Sequence, residues 1–211
     1  MSKVDYSLYL VTDRKLCGDR SLIKCVEEAI LGGVTIVQLR EKDVTSREFY
    51  TVAMEVKKIT DKYNVPLIIN DRIDIALAID ACGVHIGQED LSCELARKLL
   101  SSDKIVGVSA HNIEEAKLAE LQGANYVGCG SVFKTSTKDN VEELGVDKLK
   151  EIKENVSIPV VAIGGINEKN IELLYGSNVD GVAVVSAIIS KEGIQEVSKD
   201  LKNKIIKFKK A

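Results

Sequence analysis

Short apolar runs rich in β-branched residues recur along the chain at 7–11, 36–39, 67–69, 84–86, 105–108, 126–128, 160–163 and 182–185. Most show little apolar/polar alternation, as expected of strands buried on both faces. Longer stretches between them carry apolar residues at helical spacing: Leu22, Val26, Ala29 and Ile30, then Phe49, Val52, Val56 and Ile59. Ile113, Ala116, Leu118 and Leu121 repeat less regularly, and Ile194, Val197, Leu201, Ile205 and Phe208 form a clean final stripe. This alternation predicts βα units around a parallel sheet. Ser46, Asn112 and Asn167 are the expected caps at helix openings, and Pro66 and Pro159 fall at the first position of a strand, where a missing N–H is tolerated.

Eight such units predict a single (β/α)8 TIM barrel over residues 1–211, lean beside the roughly 250 residues typical of that fold. An open doubly wound sheet is the alternative. Gly164-Gly165 after the seventh run and Ser186 after the eighth favour the barrel, because barrels commonly bind phosphate after strands 7 and 8. The longest polar stretch, 131–145, is expected to be a mobile loop over the active site.

Composition mainly excludes. A net charge of −3 gives no general attraction for nucleic acid, and no apolar stretch approaches about 18 residues, so neither nucleic acid nor membrane is an expected partner. The opening Met1-Ser2-Lys3-Val4-Asp5 lacks the features of a secretory signal, which makes a cytoplasmic location the expectation. Five cysteines without a C-x-x-C pair read as reduced, mostly buried thiols. With two histidines in the chain, Cys82-Gly83-Val84-His85 has no evident second half for a zinc site. The lysine-rich end belongs to the last helix, where cations suit the helix dipole.

The candidate chemistry sits just past the apolar runs. Asn70-Asp71 and Gln88-Glu89-Asp90 put two carboxylates, Asp71 and Asp90, in loops after successive strands. That suffices for Mg²⁺, which is typically held by one or two carboxylates, water and substrate phosphate oxygens. Three more clusters, Gln38-Leu39-Arg40-Glu41-Lys42, Val108-Ser109-Ala110-His111 and Lys134-Thr135-Ser136-Thr137-Lys138, supply cations and hydroxyls for a phosphorylated ligand. Each has a plainer reading: Asp71 as a helix cap, Arg40 and Lys42 as solvated charges beside Glu41 and Asp43, His85 as a packed, hydrogen-bonded strand residue. The Lys134 cluster is no Walker A loop, and Gly128-Cys129-Gly130 fails as a dinucleotide motif because Phe133 stands where the third glycine belongs.

Several blocks taken together resemble the thiamine phosphate synthase family. They are Tyr9-Leu10-Val11-Thr12-Asp13, the Gln38 to Lys42 cluster, Ile69-Asn70-Asp71-Arg72, Gly83-Val84-His85-Ile86-Gly87-Gln88-Glu89-Asp90 and Gly107-Val108-Ser109. Thr135-Ser136-Thr137-Lys138, Ala162-Ile163-Gly164-Gly165-Ile166 and Val184-Val185-Ser186-Ala187-Ile188 continue the series. The resemblance implies a TIM barrel that condenses 4-amino-2-methyl-5-(diphosphooxymethyl)pyrimidine with 4-methyl-5-(2-phosphoethyl)thiazole to thiamine phosphate and pyrophosphate, using Mg²⁺.

It also implies roles. Gln38, Leu39, Arg40, Glu41, Lys42, Asn70, Ser109 and Lys138 would hold the pyrimidine pyrophosphate, with Arg40, Lys42, Ser109 and Lys138 acting on the leaving group. Asp71 and Asp90 would bind Mg²⁺, while Thr135, Ser136, Thr137, Gly165, Val185 and Ser186 would bind the thiazole phosphate. The expected partners are these phosphorylated small molecules and, in addition, further copies of the chain in a homo-oligomer. Two departures from the family pattern stand out: Cys82 where an Asp often precedes Gly-Val-His, and no proline in Gly130-Ser131-Val132-Phe133-Lys134. A related thiazole tautomerase, which would need an acid/base group and no metal, and a phosphate sensor without turnover are the competing functions.

Overall fold

The computed structural model describes residues 4–135 and 143–208, the last by backbone alone. Eight parallel strands close in sequence order, β1 (Leu8–Val11), β2 (Ile36–Leu39), β3 (Leu67–Asn70), β4 (Gly83–Ile86), β5 (Ile105–Ala110), β6 (Tyr126–Cys129), β7 (Val160–Ile163) and β8 (Gly181–Val184), with β8 back against β1. The expected barrel is therefore formed. Each predicted run coincides with a strand to within two residues at either end. Pro66 and Pro159 stand one residue before β3 and β7 and contribute only their carbonyls, which accept from the Val37 and Val127 amides.

The strands hide their alternation because both faces are apolar. Leu8, Leu10, Val37, Leu39, Leu67 and Ile69 face the helices in one large core. Tyr9, Val11, Ile36, Ile68, Tyr126 and Val161 fill the barrel interior as a second. Burying an aliphatic side chain of this size is worth about 1.5–3 kcal/mol, so a one-residue register slip in any strand would exchange the two sets at heavy cost. The interior is crowded, so that it requires glycine at one place and leaves little room for a side chain at another. A Cβ on Gly107 would lie 2.1 Å from the Tyr126 ring, and one on Gly128 would lie 3.1 Å from the His85 ring.

Outside the barrel run α1 (Leu22–Leu31), α2 (Ser46–Lys62), α3 (Ile73–Ala78), α4 (Cys93–Leu99), α5 (Ile113–Leu121), α6 (Gly145–Asn155), α7 (Ser186–Ile189) and α8 (Ile194–Phe208). Three sequence expectations need correction. The cap of α2 is Thr45, not Ser46: the Thr45 side chain accepts from the Glu48 amide while Glu48 accepts from Thr45, a reciprocal capping box. On α5 the buried residues are Ala116 and Ala119, whereas Leu118 and Leu121 are 51% and 84% exposed, because small alanines let this helix lie close to the sheet. Asn112 does cap α5, accepting from the Glu115 amide.

No α-helix opens at Asn167. The chain makes a 3₁₀ turn at Ile171–Leu174 instead. The Asn167 and Asn170 side chains satisfy the irregular backbone here, and both donate to the Gly165 carbonyl, at 3.1 and 2.9 Å. The lysines of α8 tie the helix to the barrel: Lys202 pairs with Asp5 at 3.2 Å, and Lys204 donates to the Glu168 carbonyl at 2.7 Å. Among the described residues no helix is long and apolar enough to cross a membrane.

Candidate active site

A cavity of about 1130 Å³ opens at the carboxyl ends of the strands and extends into the barrel. In a parallel barrel every strand delivers its last residues to one end, so side chains far apart in sequence meet there. Of the residues singled out in the sequence, Gln38, Arg40, Lys42, Asn70, Asp71, Asp90, Ser109, Thr135, Gly165, Val185 and Ser186 line this cavity. Ser136, Thr137 and Lys138, and the central part of the expected loop 131–145, lie outside the described residues.

Two members of the Gln38 to Lys42 cluster face elsewhere. Leu39 is fully buried in the helix-side core, as the alternation along β2 requires: Gln38 points into the barrel, Leu39 away from it. Glu41 forms an ion pair with Arg14 at 3.0 Å, its side chain nearly inaccessible, and burial raises its carboxyl above the usual range against the pull of the Arg14 guanidinium. Glu41 therefore steadies the start of the β2 loop. Arg40 is anchored through its amide, which donates to the Thr12 hydroxyl at 3.0 Å.

The two aspartates meet at the mouth. Asp71 turns the chain after β3 with φ of 61°, a left-handed conformation that Asp tolerates better than most residues, and its amide donates to the His85 carbonyl at 2.8 Å. Its carboxylate is ion-paired with Lys42. It does not cap α3, whose cap position is Arg72 without a side-chain bond. Asp90 accepts from the Gly87 amide at 2.7 Å. Burial pushes its carboxyl up, and the neighbouring Asp71 carboxylate adds to that rise.

Two carboxylates that oppose each other's charge, with one ammonium already drawn to them, form a donor set suited to a hard divalent cation. Among the described residues no three or more His, Cys, Asp or Glu side chains converge to hold a metal. An ion bound by Asp71 and Asp90 would thus complete its shell with water or substrate oxygens, as Mg²⁺ usually does. The Lys42 side chain is half exposed, so breaking its pair with Asp71 costs at most about 1 kcal/mol and leaves the ammonium available to a ligand.

Across the cavity, β7 is followed by Gly164 and Gly165, both at positive φ. A Cβ on Gly165 would meet the Lys134 and Phe133 carbonyls at 2.6 and 2.7 Å, and one on Gly164 would strike Ser131. The β6 loop runs alongside, with the Val132 and Phe133 amides donating to the Ile163 and Gly164 carbonyls. Glycine here permits close backbone approach, and the same absence of side chains leaves room for a phosphate. In α7 the first intrahelical bonds run from Ile188 and Ile189 to the Val185 carbonyl, so the Ser186 and Ala187 amides precede the bonded turns.

A hydrogen-bonded network that no sequence motif signals forms the floor of the cavity. There Gln38 Nε2 donates to Tyr9 Oη at 3.0 Å, Tyr9 and Tyr126 hydroxyls bond at 2.8 Å, and His85 bridges Tyr126 Oη and Ser109 Oγ at 2.9 and 3.0 Å. Burial raises both phenols well above their ordinary range and keeps them protonated. His85 is hydrogen-bonded, as expected, and it also lines the cavity. His111 bonds Glu115 at 2.9 Å at the rim. Cys82, the departure from the family pattern, stands before β4 at the opposite end of that strand from the mouth, where its backbone alone bonds Leu67 and Ile105.

A family profile, sequence relatives and a solved structure name the same family. A sequence profile of thiamine monophosphate synthase matches residues 8–188. The thiamine-phosphate synthase of Clostridium beijerinckii is 53% identical over 206 residues, covering 98% of this chain and 99% of that protein. That of Clostridium acetobutylicum is 56% identical over 196 residues, 93% of each. The structure of thiamine phosphate pyrophosphorylase from Pyrococcus furiosus superposes with a TM-score of 0.89 at 38% identity, covering 97% of this chain and 98% of the other.

Proposed function

The chain belongs to the thiamine monophosphate synthase family and is a transferase of thiamine biosynthesis, and from this we propose that it condenses the pyrimidine methyl pyrophosphate with the thiazole phosphate, with Mg²⁺, in the cytoplasm. The observation that carries the reading is the meeting of Asp71, Asp90, Lys42 and Arg40 on one wall of a cavity whose opposite wall is Gly165 and Ser186. One wall has charge for a pyrophosphate, the other has room for a monophosphate. A cavity of this size has space for two small ligands at once.

The reaction breaks the bond between the pyrimidine methylene carbon and a pyrophosphate oxygen, which keeps the electron pair. The thiazole nitrogen then gives its lone pair to that carbon. No proton has to be removed from the nucleophile, so the site needs charge stabilisation and positioning more than a general base. Arg40 and Lys42 bind and neutralise the departing pyrophosphate, and the Ser109 hydroxyl adds a hydrogen bond to it. Lys138 is assigned the same task by the family resemblance. Mg²⁺, held by Asp71 and Asp90, would supply further positive charge to the leaving group. On the facing wall the Gly165 turn and the first amides of α7 hold the thiazole phosphate and so present the ring nitrogen to the methylene carbon.

The test mixes purified protein, both substrates and Mg²⁺ and follows thiamine phosphate and pyrophosphate with and without EDTA. Equal release of both products, abolished by EDTA, is the expected result. Folded protein that leaves both substrates intact would contradict the reading, and turnover unaffected by EDTA would contradict the role of the metal.

A further inference from the structure

The hydrogen-bonded chain on the cavity floor has a direction. Each tyrosine hydroxyl carries one hydrogen, a neutral imidazole carries one N–H, and the Gln38 amide nitrogen can only donate. Gln38 Nε2 donates to Tyr9 Oη, so Tyr9 must send its own hydrogen elsewhere, and among the described residues its other hydroxyl partner is Tyr126. Tyr126 has then received from Tyr9 and sends its hydrogen to His85 Nδ1. With Nδ1 accepting, the neutral imidazole carries its hydrogen on Nε2 and donates it to Ser109 Oγ.

The reverse polarity would leave the hydrogen of Tyr9, a residue 1% exposed, without an acceptor in this network. Buried donors are rarely left so. An imidazolium would have the same consequence, since both ring nitrogens would donate and Tyr126 would have to turn back on Tyr9. The space for the arrangement is built into the sheet, through Gly107 against Tyr126 and Gly128 against His85.

We infer that His85 is a positioning residue: held as the neutral Nε2–H tautomer by the Gln38, Tyr9 and Tyr126 chain, it donates to Ser109 and thereby leaves the Ser109 hydroxyl to donate into the cavity. The Ser109 hydrogen, not needed by His85, is thus available to an acceptor atom of a ligand in the cavity. That this acceptor is an oxygen of the leaving pyrophosphate rests on the proposed function; the polarity of the chain does not.

Nitrogen-15 NMR of the ligand-free protein tests the polarity directly, with the two histidines told apart by the signals lost in His111→Gln. The wild type is expected to show His85 neutral at pH 7 with Nε2 protonated. An Nδ1–H form or an imidazolium would overturn the inference. Gln38→Glu, measured at pH 9, replaces the only pure donor at the far end with a carboxylate that can only accept, and the chain should reverse to give Nδ1–H; retention of Nε2–H would equally overturn it. A functional arm uses inorganic pyrophosphate with Mg²⁺. Ser109→Ala should weaken its binding about tenfold in the wild type and under about twofold in the Gln38→Glu background, and an undiminished loss would refute the coupling. If the wild type fails to bind pyrophosphate, the proposed function fails, while the NMR still judges the relay.

Discussion

Across the mouth of the barrel, β2, β3 and β4 lead into side chains that carry charge, Arg40, Lys42, Asp71 and Asp90, whereas β7 and β8 lead into Gly164, Gly165, Val185 and Ser186. On the first wall stand a left-handed Asp71 and, in Asp90, a carboxyl forced up by burial and a like charge, which the proposed function assigns to a cation and its anion. On the second, two glycines at positive φ let a loop pass within van der Waals reach. The contrast fits the two binding tasks of the proposed function. A leaving group that gains negative charge needs mobile and metal-borne positive charge, while a phosphate that only anchors its substrate needs a shaped backbone and little else.

The hardest blow to this division is Asp71→Ala. It should lower kcat by roughly 100- to 1,000-fold and abolish the response to Mg²⁺, with the KM for thiazole phosphate unchanged, as steady-state kinetics would show. Gly165→Ala attacks the other wall. Its Cβ would collide with the Lys134 and Phe133 carbonyls at a positive φ, so the KM for thiazole phosphate should rise about 10- to 100-fold while that for the pyrimidine pyrophosphate stays put. If both constants rose together, the two walls would not be separate sites. Asn170→Ala, which removes one of two amide donors to the Gly165 carbonyl, should do the same to a smaller extent, about two- to tenfold.

How far the sequence already told this story differs between the walls and the floor. Strands could be read because short β-branched runs of three to five residues alternate eight times with longer helical stretches, and the mouth residues could be read because they come directly after those runs. The floor could not. Tyr9 and Tyr126 are 117 positions apart and meet because the barrel closes, which brings inward side chains of the non-adjacent strands β1 and β6 together across its interior. Nothing in the local sequence of β1 or β6 signals that contact. Leu39 was included through its neighbours, although alternation along β2 turns it away from the site. The Thr45 cap is legible as Thr-Ser-Arg-Glu, a capping-box pattern that starts one residue before Ser46, the expected cap.

Acid titration sharpens the comparison with a smaller effect. Behind the charged wall, paired with Arg14, Glu41 has its carboxyl raised by burial, so the folded state holds that proton more tightly than the unfolded chain does. Its contribution is favourable below the ordinary carboxylate value and is lost as pH rises through the raised one. The melting temperature of the wild type relative to Glu41→Gln should therefore improve by about 1–2 °C as pH falls from 7 towards 4.5. No corresponding step is expected on substitution of Ser186.

The most direct measurement of the central claim is calorimetric titration of inorganic pyrophosphate and of thiazole phosphate, each in Mg²⁺ and in EDTA. The account predicts that EDTA weakens pyrophosphate binding at least tenfold and leaves thiazole phosphate binding unchanged. Equal weakening of both ligands, or of neither, would contradict it.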